Sequence, residues 1–302
     1  MSAESNCLNL SHQLRLKSAK AIELGALHSI QTQVKIIEHQ GHRFTIRMLE
    51  NLQKKNLAAT NTANSDTNYQ AQTNERATDR PTNPFLPYEE ALFVCNLSNT
   101  HLCLLNKFNV IENHFLIVTR KFEEQNNLLT GNDLAALAFC LAEIDGLAFY
   151  NGGKIAGASQ RHKHLQMIPD DHFNHEGIVT PLTSQPADGC HPALNFKHQF
   201  ALLRNDQGHS PSAKQLEDTY QTMITTLSIA KPGQLELTIP YNLLVTRNWM
   251  LLVPRKEETF RGIGLNALGF VGTLLVKNLD QLEILENEGP MAALKWVTFE
   301  QK

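Results

Sequence analysis

The segment Ser159-Gln160-Arg161-His162-Lys163-His164-Leu165-Gln166-Met167-Ile168-Pro169 sets two imidazoles and a carboxamide at i, i+2 and i+4. In an extended strand residues two apart share a face, so His162, His164 and Gln166 point one way. Lys163, Leu165 and Met167 point the other way, and the last two are apolar enough to pack inward. A glycine-rich turn, Asn151-Gly152-Gly153-Lys154-Ile155-Ala156-Gly157, stands just upstream, where a phosphate can meet bare backbone.

Outward from this strand the periodicities predict an α+β architecture. Leu92-Phe93-Val94, His101 to Phe108 and His114 to Arg120 read as strands, the last apolar enough to be central in a sheet. A helix follows, capped by Thr130 with Asp133 three residues on, its stripe formed by Leu134, Leu137, Ala138, Leu141 and Ile144. Phe149-Tyr150 then leads into the glycine turn. The order of strands, helix and strands predicts an antiparallel sheet with a helix covering one face.

Residues 12–39 read as helical and Arg43 to Leu49 as a half-buried strand. From Leu57 to Asn83 the chain is Asn, Thr, Ala, Ser and Gln with almost no large apolar side chain. It cannot bury enough surface to offset its ordering entropy, and it is expected to be a mobile loop. Residues 170–212, rich in His, Pro, Gly and Asp, are expected to carry little regular structure. A helix is expected from about Ser212 to Ala230, then strands at Tyr241 to Thr246 and Trp249 to Lys256. The latter strand echoes Phe115 to Lys121, an apolar run closed by a small residue and a basic pair, as a duplicated half would. We divide the chain into a catalytic region, 1–175, and a region completing the fold, 176–302.

At 302 residues, with 42% hydrophobic and 19% charged residues, the chain has the make-up of an ordinary globular enzyme. Its formal net charge of −3 argues against general nucleic-acid binding. The five cysteines (Cys7, Cys95, Cys103, Cys140, Cys190) lack any CxxC spacing and read as buried small residues in a reducing compartment. No apolar signal core or bilayer-length run is visible, and a cytoplasmic location is expected.

A neutral imidazole can attack phosphorus, giving a phosphoramidate that a second acceptor breaks. His164 then needs its other ring nitrogen held by an acceptor, which a neighbouring backbone carbonyl can supply. Gln166 can donate its amide to a phosphoryl oxygen without competing for the proton. The rival is a metal pair: two strand histidines with His172, His175 or Cys190 would suit zinc. The glycine turn and Gln166 favour the nucleophile. Gly152-Gly153-Lys154 is no P-loop, since no Gly-Lys-Ser/Thr follows. Ser159 and Gln160 offer a hydroxyl and an amide to a polyphosphate, and Lys54, Lys55 and Lys107 offer charge.

With Gly-Ala-Ser-Gln at 157–160 before His-Lys-His-Leu-Gln, and with Leu105-Asn106-Lys107-Phe108 and Phe149 to Gly153 upstream, the chain resembles the ATP adenylyltransferase family. These are the diadenosine tetraphosphate phosphorylases of the histidine-triad (HIT) superfamily, related to galactose-1-phosphate uridylyltransferases. The resemblance runs from about Phe44 to the C-terminus, through Trp249 to Arg255 and Ile263 to Phe270. It implies a HIT-like antiparallel sheet with covering helices. It further implies that His164 forms an adenylyl-histidine, assisted by His162 and Gln166, the latter standing where nucleotide hydrolases of the superfamily carry a third histidine. By the same resemblance Lys54 or Lys55, Asn106, Lys107, Asn151, Gly157, Ala158, Ser159 and Gln160 contact nucleotide or phosphate, as do Asn266, Gly269 and Lys277.

The implied reaction cleaves diadenosine tetraphosphate with phosphate to ATP and ADP, reversibly, with a divalent cation such as Mg²⁺ screening the polyphosphate. Sulfate is expected to be a poor acceptor, giving an ADP sulfurylase side activity. The protein is expected to be a monomer or small homo-oligomer whose partners are diadenosine polyphosphate, ATP, ADP and phosphate, with neither nucleic acid nor membrane. The rivals are a uridylyl or hexose-phosphate transferase, a non-catalytic nucleotide sensor, and a zinc-stabilised interaction protein.

Overall fold

The computed structural model describes residues 7, 9–49, 83–170, 188–203, 210–231 and 233–301. The expected mobile loop, apart from Asn83, lies outside the described residues.

The histidine segment enters an eight-stranded sheet as β7 (His164–Pro169). Its neighbours are β5 (Phe115–Thr119) and β6 (Gly146–Gly152). The remaining strands are β3 (Phe93–Asn96), β4 (His101–Leu105), β8 (Gln199–Leu202), β9 (Tyr241–Val245) and β10 (Trp249–Pro254), in the order β3-β4-β5-β7-β6-β9-β10-β8. Every pairing in it is antiparallel. Because β6 pairs with β9, the sheet runs without a break across the 175/176 division.

Three helices cover one face: α1 (Leu10–Glu23), α2 (Gly131–Glu143) and α3 (Ala213–Leu227). Thr130 and Asp133 form the expected capping box of α2, and Ser212 caps α3. Leu165 and Met167 are buried under these helices, each worth about 1.5–3 kcal/mol. On the opposite face lie two apolar clusters. One joins Phe149, Ile168 and Leu244 to a three-stranded sheet of β1 (Thr32–His39), β2 (His42–Leu49) and β13 (Thr273–Val276) and to the helices α4 (Leu279–Glu288) and α5 (Pro290–Trp296). Two short strands, β11 (Thr259–Phe260) and β12 (Ile263–Gly264), pair with each other ahead of β13. The other is small: Phe85, Leu102, Leu104, Leu116 and Val118. His164 and Gln166 stand between them.

Three expectations need correction. The helix expected over 12–39 ends at Glu23, Gly25 turns with φ +67°, and Thr32–His39 is a strand. The β-branched Val34, Ile36 and Ile37 favour the pleat, and pairing with β2 provides the ladder that an isolated helix lacks. The sheet of β1, β2 and β13 is mixed, β13 running parallel to β2. The cysteines also differ: Cys7 and Cys95 form a disulfide, and Cys190 is exposed, leaving only Cys103 and Cys140 as buried thiols. Packing of α1 against β3 joins sulfurs 88 residues apart, which no spacing rule could pair.

Candidate active site

The alternation expected of the histidine strand holds through residue 162. Phe85 packs on both His162 and His164, at ring centroid distances of 5.6 and 5.3 Å, so the two imidazoles share a face. Lys163 points the opposite way, into the helix layer. There its ammonium meets Asp133 at 3.1 Å and Glu123 at 2.7 Å, and Asp133 also receives His101 Nε2 at 2.9 Å. Burial opposes the charge on Asp133, yet His101, Lys163 and Thr130 outweigh it and hold the carboxyl at a pKa of about 2.

His164 is 4% exposed. Its Nδ1–H donates to the His162 carbonyl at 2.8 Å, the acceptor the sequence called for. That bond places the lone pair on Nε2, which makes no hydrogen bond among the described residues. Burial, with the nearby His162 ring adding to it, pushes the pKa down to about 4, so the ring is neutral at pH 7. The bare nitrogen of a neutral imidazole is the form that attacks phosphorus.

His162 has no such freedom. Its Nε2–H donates to the Thr119 carbonyl at 2.8 Å and reaches Thr119 Oγ1 at 2.9 Å, while Nδ1 accepts from Asn83 Nδ2 at 3.0 Å. Asn83 Oδ1 takes the Phe85 N–H, which fixes the amide orientation. Both ring nitrogens are therefore committed to protein, and His162 acts on His164 through its carbonyl. His172 and His175 lie outside the described residues, and among the described residues no group of three His, Cys, Asp or Glu is arranged to hold a metal ion.

β6 and β7 stay paired only from Gly146↔Pro169 to Phe149↔Gln166. Past that point they splay, and the Gln125 carboxamide fills the gap. It accepts from the His164 N–H at 2.8 Å and donates to the carbonyls of His164 and Asn151 at 3.1 and 3.0 Å. The splay makes room for the glycine turn, a single 3₁₀ turn (Lys154–Ala156) between Gly153 and Gly157, both near φ +90°. A side chain at Gly157 would strike the Leu265 carbonyl at 2.7 Å and Asn266 at 2.9 Å. The turn thus presses against the segment that opens the 3₁₀ helix Ala267–Val271.

After the turn, the Ala158 N–H is used by the Gly153 carbonyl, whereas those of Ser159, Gln160 and Arg161 bond no other group among the described residues. Successive N–H groups without a described partner, three to five residues ahead of a neutral imidazole, are candidates for an anion cradle. Asn151, 2% exposed, anchors it: its Oδ1 accepts from Asn242 Nδ2 at 2.8 Å and from the Ala267 N–H at 3.0 Å. Asn242 is held in turn by Arg255, whose Nη1 donates to Asn242 Oδ1 at 2.7 Å.

Of the residues singled out from sequence, His162, His164 and Gln166 share one face, and Asn151, Gly157, Ala158, Ser159, Gln160 and Asn266 gather around the glycine turn. Asn106 reaches the same face indirectly, donating from Nδ2 to His114 Nδ1 at 3.0 Å. Lys107 pairs with Glu89 at 2.7 Å on the surface. Gly269 packs against Leu294 and gives its N–H to the Asn266 carbonyl. Lys277 is exposed at the end of β13, on the three-stranded sheet, and nothing described ties it to the histidines. Lys54 and Lys55 lie outside the described residues.

Sequence reasoning missed Asn83, His114, Thr119, Gln125 and Asn242, and took Arg255 only as part of a basic pair. Asn242 carried a signal, a lone amide in the apolar run Tyr241-Asn242-Leu243-Leu244-Val245.

Residues 2–185 match the family model described as the Ap4A phosphorylase N-terminal domain, and residues 192–300 match that of the ATP adenylyltransferase C-terminal domain. The chain is 29% identical over 247 residues to diadenosine 5',5'''-P1,P4-tetraphosphate phosphorylase 2 of Saccharomyces cerevisiae, covering 71% of this chain and 75% of that protein. It is 29% identical over 198 residues to Protein APA1 of the same yeast, covering 58% and 61%. The crystal structure of yeast Ap4A phosphorylase Apa2 shares its fold, with a TM-score of 0.74 at 23% identity over 100% of both chains, and the complex of that enzyme with Ap4A superposes equally well. With both halves matched in order, the chain belongs to the Ap4A phosphorylase family, a nucleotidyltransferase built on an eight-stranded antiparallel sheet.

Proposed function

We propose that the protein phosphorolyses diadenosine tetraphosphate to ATP and ADP, reversibly, through an adenylyl group carried on His164. The observation that carries this reading is the state of His164: neutral, with Nδ1–H fixed on the His162 carbonyl and Nε2 free of any described partner. Nε2 attacks one α-phosphorus, the N–P bond forms as the P–O bond to the departing ATP breaks, and positive charge develops on the ring. The His162 carbonyl stabilises that charge while the proton stays on Nδ1. Phosphate then attacks from the vacated side, the N–P bond breaks and ADP leaves. Two in-line displacements retain configuration at phosphorus.

The N–H groups of Ser159, Gln160 and Arg161 suit the phosphoryl oxygens, and the Gln166 amide suits the one beside His164. Among the described residues no group of three His, Cys, Asp or Glu is arranged to hold a metal ion. We assign the expected Mg²⁺ to the polyphosphate, where it would screen charge. The same reading carries the cytoplasmic setting, the weak use of sulfate as acceptor, and a monomer or small homo-oligomer. Among the described residues no helix is long and apolar enough to cross a membrane.

The test is turnover of diadenosine tetraphosphate with and without inorganic phosphate, with products separated. Equimolar ATP and ADP that require phosphate support the reading. Phosphate-independent release of AMP, or activity only with a uridine nucleotide, would overturn it.

A further inference from the structure

A third imidazole stands on the catalytic face. His114 directly precedes β5, and Leu116, two residues on, pairs with Gln166. Residues two apart on a strand share a face, and so do directly paired residues of antiparallel strands, so His114 and Gln166 lie on the same face. Phe149, the partner of Gln166 on the other side, packs on the His114 ring at 5.7 Å.

The hydrogen bonds around His114 have one direction. The Phe108 N–H donates to Asn106 Oδ1, so the Asn106 amide must face His114 with its NH₂, and it donates to Nδ1 at 3.0 Å. An accepting Nδ1 requires the ring proton on Nε2. His114 Nε2 is fully shielded from solvent and has no hydrogen-bond partner among the described residues, an orphaned donor on the face that carries Gln166. Burial is the largest influence on this ring and keeps it neutral; Gln166 opposes that, as a nearby accepting carboxamide oxygen would, and His164 adds to the effect of burial. Asn83 and Phe85 hold His162 through the same device, but His162 ends on the Thr119 carbonyl.

We propose that His114 is a positioning residue that sets the orientation of the Gln166 carboxamide. Its Nε2–H claims Oε1, which leaves the NH₂ of Gln166 for the phosphoryl oxygen beside His164. Without that claim the carboxamide can turn over, and its oxygen would then face the developing negative charge. Asn106 is the outer end of this relay, and its role is to fix the His114 tautomer. The inference rests on the adenylyl-transfer reading and assigns new roles to His114 and Asn106 within it.

The experiment is single-turnover adenylylation of His164, followed by rapid quench, with diadenosine tetraphosphate and with its two diastereomers carrying sulfur at a non-bridging oxygen of the attacked phosphorus. His114→Phe should slow adenylylation by about tenfold or more with substrate affinity within about threefold, because the lost interaction acts in the transition state. It should also erase the wild-type preference between the two diastereomers. His114→Gln, which restores a donor near Nε2, should recover part of the rate. His114→Phe combined with Gln166→Ala should be no worse than Gln166→Ala alone. Asn106→Ala repeats the test from a half-buried position should His114→Phe fail to fold. A His114→Phe enzyme within twofold of wild type, an unchanged diastereomer preference, or multiplicative losses in the double variant would overturn the relay. A wild-type enzyme that forms no adenylyl-histidine would instead overturn the reading beneath it.

Discussion

Asn242 donates to Asn151 across 2.8 Å, and both side chains are buried. This bond links β9, from the C-terminal half, to the first residue of the glycine turn. Asn242 also donates to the Ala156 carbonyl at 2.8 Å, so one side chain holds both ends of the turn. The C-terminal half contributes to the site by fixing its cradle.

Asn242→Ala should therefore act on substrate binding more than on chemistry. It leaves Arg255 Nη1 and the Ala156 carbonyl short of a buried partner, at a cost of about 1–3 kcal/mol of stability. The expected result in steady-state kinetics is a raised KM for the dinucleotide with kcat less affected. An unchanged KM would show that the cradle does not need this anchor.

The Lys163–Asp133 pair predicts a stability effect from inside the catalytic segment. Both side chains are 1% exposed, so Lys163→Met strands a carboxylate next to His101. Breaking a buried pair in this way costs about 3–5 kcal/mol. Denaturant unfolding should show that loss, and Asp133→Asn in the same chain should recover part of it. Simple additivity of the two changes would mean that the residues are not coupled.

His162 and His164 should respond differently to truncation. The His162 contribution passes through a backbone carbonyl that every residue retains, and its ring sets position only. His162→Ala should slow turnover by about 10–100-fold, whereas His164→Ala removes the nucleophile and should cost about 10³-fold or more. Initial rates on both variants decide the matter, and equal losses would assign the His162 ring a direct role.

Protonation sets the acid limit. His114 and His164 both have folded pKa values of about 4, below the 6.5 of a free imidazole, so the unfolded chain takes up protons first as pH falls. Their contribution to stability is complete above about pH 6.5 and is lost as pH drops toward 4. Over the same interval the nucleophile stays neutral. Initial adenylylation rates should hold below pH 6 and fall near pH 4, whereas unfolding midpoints should begin to decline from about pH 6.5, ahead of the rates. A rate that halves near pH 6.5 would show that His164 titrates as a solvent-exposed ring.

The shared face of His162, His164 and Gln166 was legible because period-two alternation places them together whatever the partners of the strand. The α2 cap was legible for a similar reason, since Thr130 and Asp133 act across three residues. β1 was not legible. Its alternation is weak, it follows a true helix, and only its pairing with β2 makes it a strand. Gln125 and Asn242 were hidden for another reason: each fills a hydrogen-bonding gap left by segments distant in sequence. Gln125 would be an unremarkable amide if β6 and β7 did not splay at Phe149↔Gln166.

The decisive measurement is a rapid quench of the wild-type protein with diadenosine tetraphosphate labelled in the adenylyl group, phosphate omitted, followed by peptide mapping. A stoichiometric AMP adduct on the peptide bearing residue 164, stable to alkali, labile to acid and discharged as ADP when phosphate is added, is the expected result. Turnover with no adduct at residue 164, or with AMP carried on another residue, would contradict nucleophilic attack by His164.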